Sequence, residues 1–213
     1  MRIIAGKFRS RTLEAPAGLA TRPTSDRLRE TLFNVLAPRI EGAAFLDLYA
    51  GSGAVGIEAR SRGAARVAFV ERVPAALAAL RANLARLGVS EEVQIHPGSV
   101  GGWLRRFETR PGPGSQLDRK PGSPEAFDLV FLDPPYDAAE EYAATLGLLG
   151  GAAGALLNPG ALVIAEHRGR GGGKGSSKQR LLERYGALER TRLLEQGDAA
   201  LSFYAGRAIA VPE

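Results

Sequence analysis

The chain has 213 residues, of which 45% are hydrophobic and 24% charged, values typical of a globular enzyme with one large domain or with one domain and a small appendage. It has no cysteine, which excludes a disulfide framework and thiolate chemistry, and its two histidines are isolated, so we expect no metal site. No apolar run approaches the roughly 20 residues that a membrane span needs, and the first residues lack the apolar core of a signal peptide. We therefore expect a cytoplasmic protein without a membrane partner.

The formal charge of +5 is concentrated at the amino end of the sequence. Residues 1–29 contain seven basic and two acidic side chains, so this segment carries the whole excess. A basic arm on a neutral body is typical of an enzyme that collects a polyanion, and a solvated basic tail is the alternative. A folded hairpin is favoured by apolar residues interleaved with the charges, namely Ile3, Ile4, Phe8 and Leu13. The candidate contacts to phosphate groups are Lys7, Arg9, Arg11 and Arg22.

After this arm, the apolar pattern alternates between helix and strand periods. Thr24 is a candidate cap for a first helix that ends near Pro38. Further helices are predicted over residues 54–62, 74–88, 99–107 and 138–149, and strands over residues 44–49, 66–71, 92–96, 127–133 and 161–167. Residues 188–194 and 199–204 are predicted to form an antiparallel hairpin. This order predicts an α/β fold with a mostly parallel sheet and an antiparallel edge.

Two segments interrupt the alternation. Residues 109–125 and 169–178 are rich in glycine, proline, serine and charged residues. Because such compositions cannot support a packed core, we expect both segments to be flexible surface loops.

The first candidate site follows the strand at residues 44–49. Gly51-Ser52-Gly53-Ala54-Val55-Gly56 is a G-x-G-x-x-G run between a strand and a helix, and Glu71 lies at the end of the next strand. Glycines let the backbone approach a ligand, the helix start offers N–H groups to an anion, and the Glu71 carboxylate suits a ribose diol. A nicotinamide dinucleotide and a nucleoside joined to an amino acid both fit these features. Asp47 favours the second, because a carboxylate there repels a pyrophosphate and attracts an ammonium group.

The second candidate site is Asp133-Pro134-Pro135-Tyr136, at the end of the strand predicted over residues 127–133. An exocyclic amine of a nucleobase is a poor nucleophile, because its lone pair is delocalised into the ring. Acceptors aimed at its two N–H bonds make it more tetrahedral, and Asp133 and the Pro134 carbonyl can supply them. Pro135 restricts Pro134 to an extended conformation, and Tyr136 can stack on the base. A rigid turn after a strand is the alternative interpretation, which is disfavoured because the glycine-rich run occurs earlier in the same chain.

Two further runs lie near the amino end: Arg2-Ile3-Ile4-Ala5-Gly6 and Arg22-Pro23-Thr24-Ser25-Asp26-Arg27-Leu28-Arg29-Glu30-Thr31-Leu32-Phe33-Asn34. Together with the two motifs above, they resemble the class I S-adenosylmethionine-dependent methyltransferases, and within them the bacterial RsmD family. The resemblance implies methylation of a guanine N2 amine of 16S ribosomal RNA, with guanine 966 as the family's target. The resemblance spans almost the whole chain apart from the two loops.

The fold implied by this resemblance is a Rossmann-like, mostly parallel sheet of seven strands with an antiparallel last strand. A small amino-terminal extension of hairpin and helix, residues 1–40, is expected to capture RNA and to form part of the cofactor pocket. Residues 41–213 are then expected to form the methyltransferase domain.

The resemblance also implies a cofactor, S-adenosylmethionine, and its site residues. Its methionine end is expected on Asp47, Ala50, Gly51, Ser52 and Gly53, its ribose near Glu71 and Arg72, and its adenine near Ser99 and Val100. Relatives commonly have Asp or Asn where this chain has Ser99, so a backbone contact is the expectation there. Thr24 and Arg27 are implied to border the pocket, and the catalytic residues are Asp133, Pro134, Pro135 and Tyr136. Glu166 can face the site or the solvent, and His96 and His167 are expected to be bystanders, because a sulfonium leaving group requires no acid.

Two other functions stay open at the level of sequence. The same Asp-Pro-Pro-Tyr run serves an adenine N6 amine of DNA or RNA, although 213 residues leave little room for a large target-recognition domain. A nucleic-acid-binding module with a vestigial cofactor site is the third possibility, which a cofactor titration would identify. The leading interpretation is a monomeric, metal-free enzyme acting on 16S ribosomal RNA in an assembling 30S subunit.

Overall fold

The structure of the chain is a computed structural model that describes residues 1–16, 25–108, 126–135, 138–169 and 181–206. Arg22, Thr24 and Tyr136 lie outside the described residues, as do the loops predicted over 109–125 and all but the first residue of 169–178. Within the described ranges, no helix is long and apolar enough to cross a membrane.

The described strands form one sheet. Five of them pair in parallel: β1 (Ala44–Leu48), β2 (Arg66–Glu71), β3 (Val93–Pro97), β4 (Phe127–Leu132) and β5 (Leu157–Arg168). Three more are β6 (Arg184–Tyr185), β7 (Leu188–Gln196) and β8 (Ala199–Gly206), and β8 lies antiparallel between β5 and β7. The order β3-β2-β1-β4-β5-β8-β7-β6 confirms the α/β class, the mostly parallel sheet and the antiparallel edge.

The largest differences from the sequence prediction are in two strands. β5 begins at Leu157 instead of residue 161, and its first part carries exposed Pro159 and Gly160, which interrupt the apolar pattern. β6 adds a two-residue strand to the seven that the resemblance implies. Gly186, with a φ of 56°, allows the tight turn that folds β6 back onto β7.

The helices are α1 (Asp26–Ile40), α2 (Ala54–Ser61), α3 (Pro74–Leu87), α4 (Val100–Arg105) and α5 (Ala139–Leu149), with a short 3-10 turn at Gly154–Leu156. The cap of α1 is Ser25 and not Thr24, because Ser25 Oγ accepts a 3.1 Å hydrogen bond from the Leu28 N–H. α1 ends at Ile40, close to the predicted end near Pro38, and the Ile40 side chain is buried in the core.

The sheet separates two hydrophobic layers, because successive side chains of a strand point to opposite faces. Phe45 and Phe131 cluster with residues of α1, α2 and α3, whereas Leu46 and Val130 cluster with residues of α4 and α5. None of these four residues is more than 2% exposed, and the burial of each stabilises the fold by about 1.5–3 kcal/mol. The parallel strands of this middle layer all end at one edge, where the two sequence motifs lie.

Residues 1–16, which we call the arm, fold onto α2. Arg2 and Thr12 form an antiparallel bridge, and Ile3 and Leu13 are buried in the same core cluster as α1. Glu58 of α2 is itself buried and accepts hydrogen bonds of 2.8 and 3.0 Å from two N–H groups of the arm. The arm is therefore a folded hairpin, as the interleaved apolar residues predict.

Candidate active site

Acidic side chains lie at the ends of three neighbouring strands. Asp47 is the penultimate residue of β1, Asp133 directly follows β4, and Glu166 lies near the end of β5. β4 pairs with β1 on one side and with β5 on the other. The pKa of Asp133 is raised well above its usual 3.8 by burial first, then by the charges of Glu166 and Asp47. The fold thus brings both sequence motifs, and Glu166 with them, to one edge of the sheet.

Asp47 is held under the start of α2. The residue is 2% exposed, and its Oδ2 accepts a 2.8 Å hydrogen bond from the Gly56 N–H. Burial raises the pKa of Asp47 from 3.8 to about 8, the Gly56 bond opposes the shift, and the charge of Glu71 adds to it. Because a neighbouring cation favours an ionised carboxyl group, this position is electrostatically suited to a positively charged ligand group.

The glycine loop, residues 49–53, joins β1 to α2. Gly53 has a φ of 81° and its N–H donates to the Ala50 carbonyl at 2.8 Å. A Cβ at Gly53 would lie 2.3 Å from Leu80 Cδ1, and one at Gly56 would lie 2.3 Å from the Phe69 ring. These glycines are therefore required by the packing of α2 on α3 and β2, in addition to any approach of a ligand.

Glu71 supports the glycine loop from the end of β2. Its Oε2 accepts from the Gly51 N–H at 2.7 Å, and its Oε1 accepts from the N–H groups of Arg72 and Val73 at 2.7 and 2.8 Å. A carboxylate has about four acceptor sites, so three bonds leave room for one further donor. The predicted contact to a ribose hydroxyl is compatible with this arrangement and stays a prediction.

Ser99 and Val100 begin α4 after β3. Ser99 is the N-cap, and its Oγ accepts from the Gly102 N–H at 3.2 Å, while Val100 is buried beneath it. The Ser99 hydroxyl thus has a structural partner within its own helix, which is the physical reason that a short polar residue suits this position. The expected contact with adenine stays a prediction.

The acidic turn, residues 133–135, connects β4 to α5. The Pro135 carbonyl accepts from the Ala138 N–H at 2.8 Å, which closes the turn. The Tyr142 hydroxyl lies 3.3 Å from the Pro134 carbonyl and 2.8 Å from the Glu166 carbonyl, so it ties the turn to the end of β5. Sequence reasoning missed Tyr142, because an aromatic residue at helical spacing is indistinguishable from an ordinary core residue.

Tyr49 connects the glycine loop to α5. It adopts a left-handed conformation with a φ of 61°, and its hydroxyl lies 2.8 Å from Glu141 Oε2 and 2.7 Å from Thr145 Oγ1. The guanidinium of Arg72, a predicted cofactor residue, is 3.9 Å from the same Glu141 carboxylate and more than half exposed. Burial raises the pKa of Tyr49 above its usual value, so the hydroxyl keeps its proton as a donor. The glycine loop and the helix after the acidic turn are thus joined directly.

Lys7, a basic residue of the arm, lies away from this edge. Lys7, Arg9 and Arg11 are all exposed, and the Lys7 N–H donates to the Ser61 carbonyl at 2.7 Å, at the end of α2. Because α2 starts at the glycine loop and spans 8 residues, Lys7 is about 12 Å along the helix from the loop. Arg27 is exposed in the first turn of α1. The fold therefore separates Lys7, one of the candidate phosphate contacts of the arm, from the candidate site for chemistry.

The two histidines have other surroundings. His167 is buried, with Nε2 2.8 Å from Ser202 Oγ, and burial lowers its pKa. His96 lies against the Trp103 ring, with 5.1 Å between ring centroids. Among the residues that the structure describes, no group of histidine and acidic side chains has the arrangement to hold a metal ion.

A parallel β3-β2-β1-β4-β5 sheet with β8 antiparallel beside it, a glycine loop after β1 and an acidic turn after β4 define the class I methyltransferase fold. Solved structures agree over nearly the whole chain. The Escherichia coli protein yhhF superposes with a TM-score of 0.73 at 32% identity, covering 98% of this chain and 99% of that one. The Thermus thermophilus protein TTHA0928 gives a TM-score of 0.71 at 30% identity, with 95% and 98% covered.

Sequence relatives identify the particular family. The profile of the family described as "Conserved hypothetical protein 95" matches residues 1–205, and the chain belongs to that family. YlbH of Bacillus subtilis is 35% identical over 167 residues, which are 78% of this chain and 82% of that protein. "Ribosomal RNA small subunit methyltransferase D" of Escherichia coli K12 is 40% identical over 136 residues, 64% of this chain and 60% of that protein. The resemblance to the RsmD family is thereby confirmed.

Proposed function

We propose that the chain transfers a methyl group from S-adenosylmethionine to the exocyclic N2 amine of a guanine in 16S ribosomal RNA, guanine 966 being the family's target. The substrate class is supported by relatives named ribosomal RNA small subunit methyltransferase D, from Escherichia coli and Haemophilus influenzae. We further propose that the substrate is an assembling small subunit, and that residues 1–40 serve RNA capture while residues 41–213 perform the chemistry.

The observation that carries the cofactor proposal is the set of acidic groups beside the glycine loop. Asp47 and Asp133 are acids whose pKa values are raised by burial first and then by neighbouring carboxyl groups. S-adenosylmethionine supplies a methyl group on a positively charged sulfonium and also carries an ammonium group. Both positive charges are favoured near these carboxyl groups, whereas the pyrophosphate of a nicotinamide dinucleotide is repelled. The residues present therefore fit the first cofactor and disfavour the second.

The proposed work of the acidic turn is to prepare the amine. The Asp133 carboxylate and the Pro134 carbonyl accept hydrogen bonds from its two N–H groups. The nitrogen becomes more tetrahedral, so its lone pair points at the methyl group. S-adenosylmethionine, when bound, would supply the methyl group from its sulfonium and become a neutral thioether, and the surplus proton of the methylated amine would pass to solvent. Tyr142 holds the Pro134 carbonyl in place during this step, and Tyr136 is proposed to stack on the base.

Nucleoside mass spectrometry tests the proposal. The purified chain is incubated with isotopically labelled S-adenosylmethionine and small subunits lacking the modification, with Asp133→Ala as the control. Labelled N2-methylguanosine in wild type and its loss in the control are expected. Labelled N6-methyladenosine would contradict the proposed base. Cofactor binding without any transfer, on subunits and on free RNA, would instead favour a binding module with a vestigial site.

A further inference from the structure

Asn83 of α3 lies between the arm and the glycine loop. It is completely buried, and its Nδ2 donates to the Ser52 carbonyl at 3.0 Å and to the Glu14 carbonyl at 3.1 Å. Its Oδ1 accepts from the Glu14 N–H at 2.8 Å. One side chain therefore binds the main chain of the arm at Glu14 and the main chain of the glycine loop at Ser52. Sequence reasoning missed Asn83, because a lone asparagine in a helix carries no pattern.

The position of the Ser52 carbonyl matters because Ser52 stands between the two glycines that give the loop its shape. Neither glycine restricts its own backbone, so the loop depends on outside contacts to keep one conformation. Glu71 fixes one side of the loop through the Gly51 N–H, and Asn83 fixes the other through the Ser52 carbonyl. A second contact from the arm reaches the same residue, since Met1 Sδ lies 3.9 Å from Ser52 Oγ.

The middle of the arm is anchored separately, at the far end of α2. Ser61 Oγ accepts from the Phe8 N–H at 2.9 Å and donates to the Ala5 carbonyl at 2.6 Å. Ser61 is the last residue of α2, a full helix length from the glycine loop. The arm can therefore be loosened at either end by a single substitution, and only the substitution at Asn83 also removes a bond to the loop.

We propose that Asn83 is a positioning residue that couples the basic arm to the cofactor loop. A cofactor bound against the loop then strengthens RNA binding by the arm, and RNA held by the arm strengthens cofactor binding by the same factor, because such coupling is reciprocal. This inference rests on the proposed cofactor. It adds that capture of RNA and binding of the cofactor are not independent.

The test compares Asn83→Asp and Asn83→Ala with Ser61→Ala as the matched control. Asp has the shape of Asn but lacks the N–H donors, and it turns an acceptor toward two carbonyl oxygens. Ala leaves the same carbonyl groups without their donor and introduces no charge, so it covers the case in which Asn83→Asp does not fold. Affinity for S-adenosylhomocysteine is measured by calorimetry, and amide hydrogen exchange is followed at Glu14 and Gly53 with and without this ligand.

We expect the Asn83 variants to bind S-adenosylhomocysteine about ten-fold more weakly and Ser61→Ala to stay within about two-fold of wild type. In wild type the ligand should slow exchange at Glu14, and in the Asn83 variants it should not. Equal losses of melting temperature in both kinds of variant, with unchanged ligand affinity and unchanged Glu14 protection, would overturn the coupling. Failure of wild type to bind the ligand would contradict the proposed function. In that case, faster ligand-free exchange at Gly53 in Asn83→Ala than in Ser61→Ala supports the coupling, and equal exchange refutes it.

Discussion

The glycine loop and the acidic turn lie at the same edge of the sheet, but their polar groups are satisfied differently. Around the loop, the carboxylates of Glu71 and Asp47 accept hydrogen bonds from four main-chain N–H groups. The acidic turn contains two prolines, which have no N–H to donate. The pKa of its first residue, Asp133, is raised by burial and then by the charges of two other carboxyl groups. The comparison indicates that the loop is shaped in advance by main-chain bonds, whereas the proposed role of the turn is to receive donors from a substrate.

The largest expected effect comes from removing the acceptor in the acidic turn. Asp133→Ala should lower methyl transfer by about a thousand-fold, because acceptor geometry at the amine matters chiefly in the transition state. Affinity for S-adenosylhomocysteine should change by less than about three-fold, since this ligand lacks the sulfonium charge and its ammonium group is assigned to Asp47. Single-turnover kinetics and calorimetry measure the two quantities. A similar loss of methyl-transfer rate and of ligand affinity would show that the loop and the turn act as one unit, which contradicts the comparison.

A smaller effect is expected in the glycine loop, where two glycines provide a matched pair. Gly51 and Gly53 both have positive φ, but a Cβ at Gly51 meets open space and one at Gly53 meets Leu80 at 2.3 Å. Gly53→Ala should therefore be less stable than Gly51→Ala by about 1–3 kcal/mol, the usual cost of overpacking. Urea unfolding of both variants checks this difference. Equal stabilities would mean that backbone conformation, and not packing, requires glycine at position 53.

The arm extends the comparison to a third region, where charge and not geometry is expected to matter. Replacing Lys7, Arg9 and Arg11 with alanine should weaken RNA binding about ten-fold at physiological salt and reduce the salt slope by about two to three units. The control is the double variant Arg184→Ala and Arg192→Ala, which removes exposed charges from β6 and β7 at the opposite side of the sheet from β3. Filter binding across a salt series measures both slopes. An unchanged salt slope in the triple variant would show that these three side chains do not contact RNA phosphates.

The parts predictable from sequence are those with a local pattern. Continuous apolar runs identify buried strands, and the glycine run and the Asp-Pro-Pro-Tyr run identify the loop and the turn. The missed residues bond across long separations: Tyr49 contacts Glu141 and Thr145, 92 and 96 residues away, and Asn83 contacts Glu14, 69 residues away. Such pairs depend on the packing of whole helices and leave no periodic signal in one sequence.

Local competition explains the smaller differences from the sequence prediction. Thr24 and Ser25 are both good helix caps, and sequence alone does not decide which hydroxyl reaches the first free N–H. A proline normally ends a helix, but the buried Ile40 extends α1 past Pro38 by packing in the core. In each case a tertiary contact decided between two local preferences of similar strength.

The smallest predicted effect concerns pH and again separates the unliganded site from the liganded one. The pKa of Asp47 is 3.8 when unperturbed and about 8 in the fold, so the folded state binds more protons than the unfolded state between these values. Stability of the unliganded protein should therefore fall as pH rises from 6 to 8, lowering the melting temperature by about 2–4 °C per pH unit.

Ligand affinity should show the opposite trend. An ammonium group beside Asp47 favours the ionised carboxylate, so binding of S-adenosylhomocysteine releases a proton and strengthens up to ten-fold per pH unit at most, until about pH 8. Asp47→Asn keeps an acceptor for the Gly56 N–H but cannot ionise. It should reduce the pH dependence of both profiles, be at least as stable as wild type at pH 8, and bind the ligand more weakly. The pH dependence of stability that remains is expected from Asp133, whose pKa burial also raises. Calorimetry in two buffers of different ionisation enthalpy counts the released protons. Proton release that persists undiminished in Asp47→Asn would assign the titration to Asp133, whose pKa burial also raises, and the ammonium group would then belong beside the acidic turn.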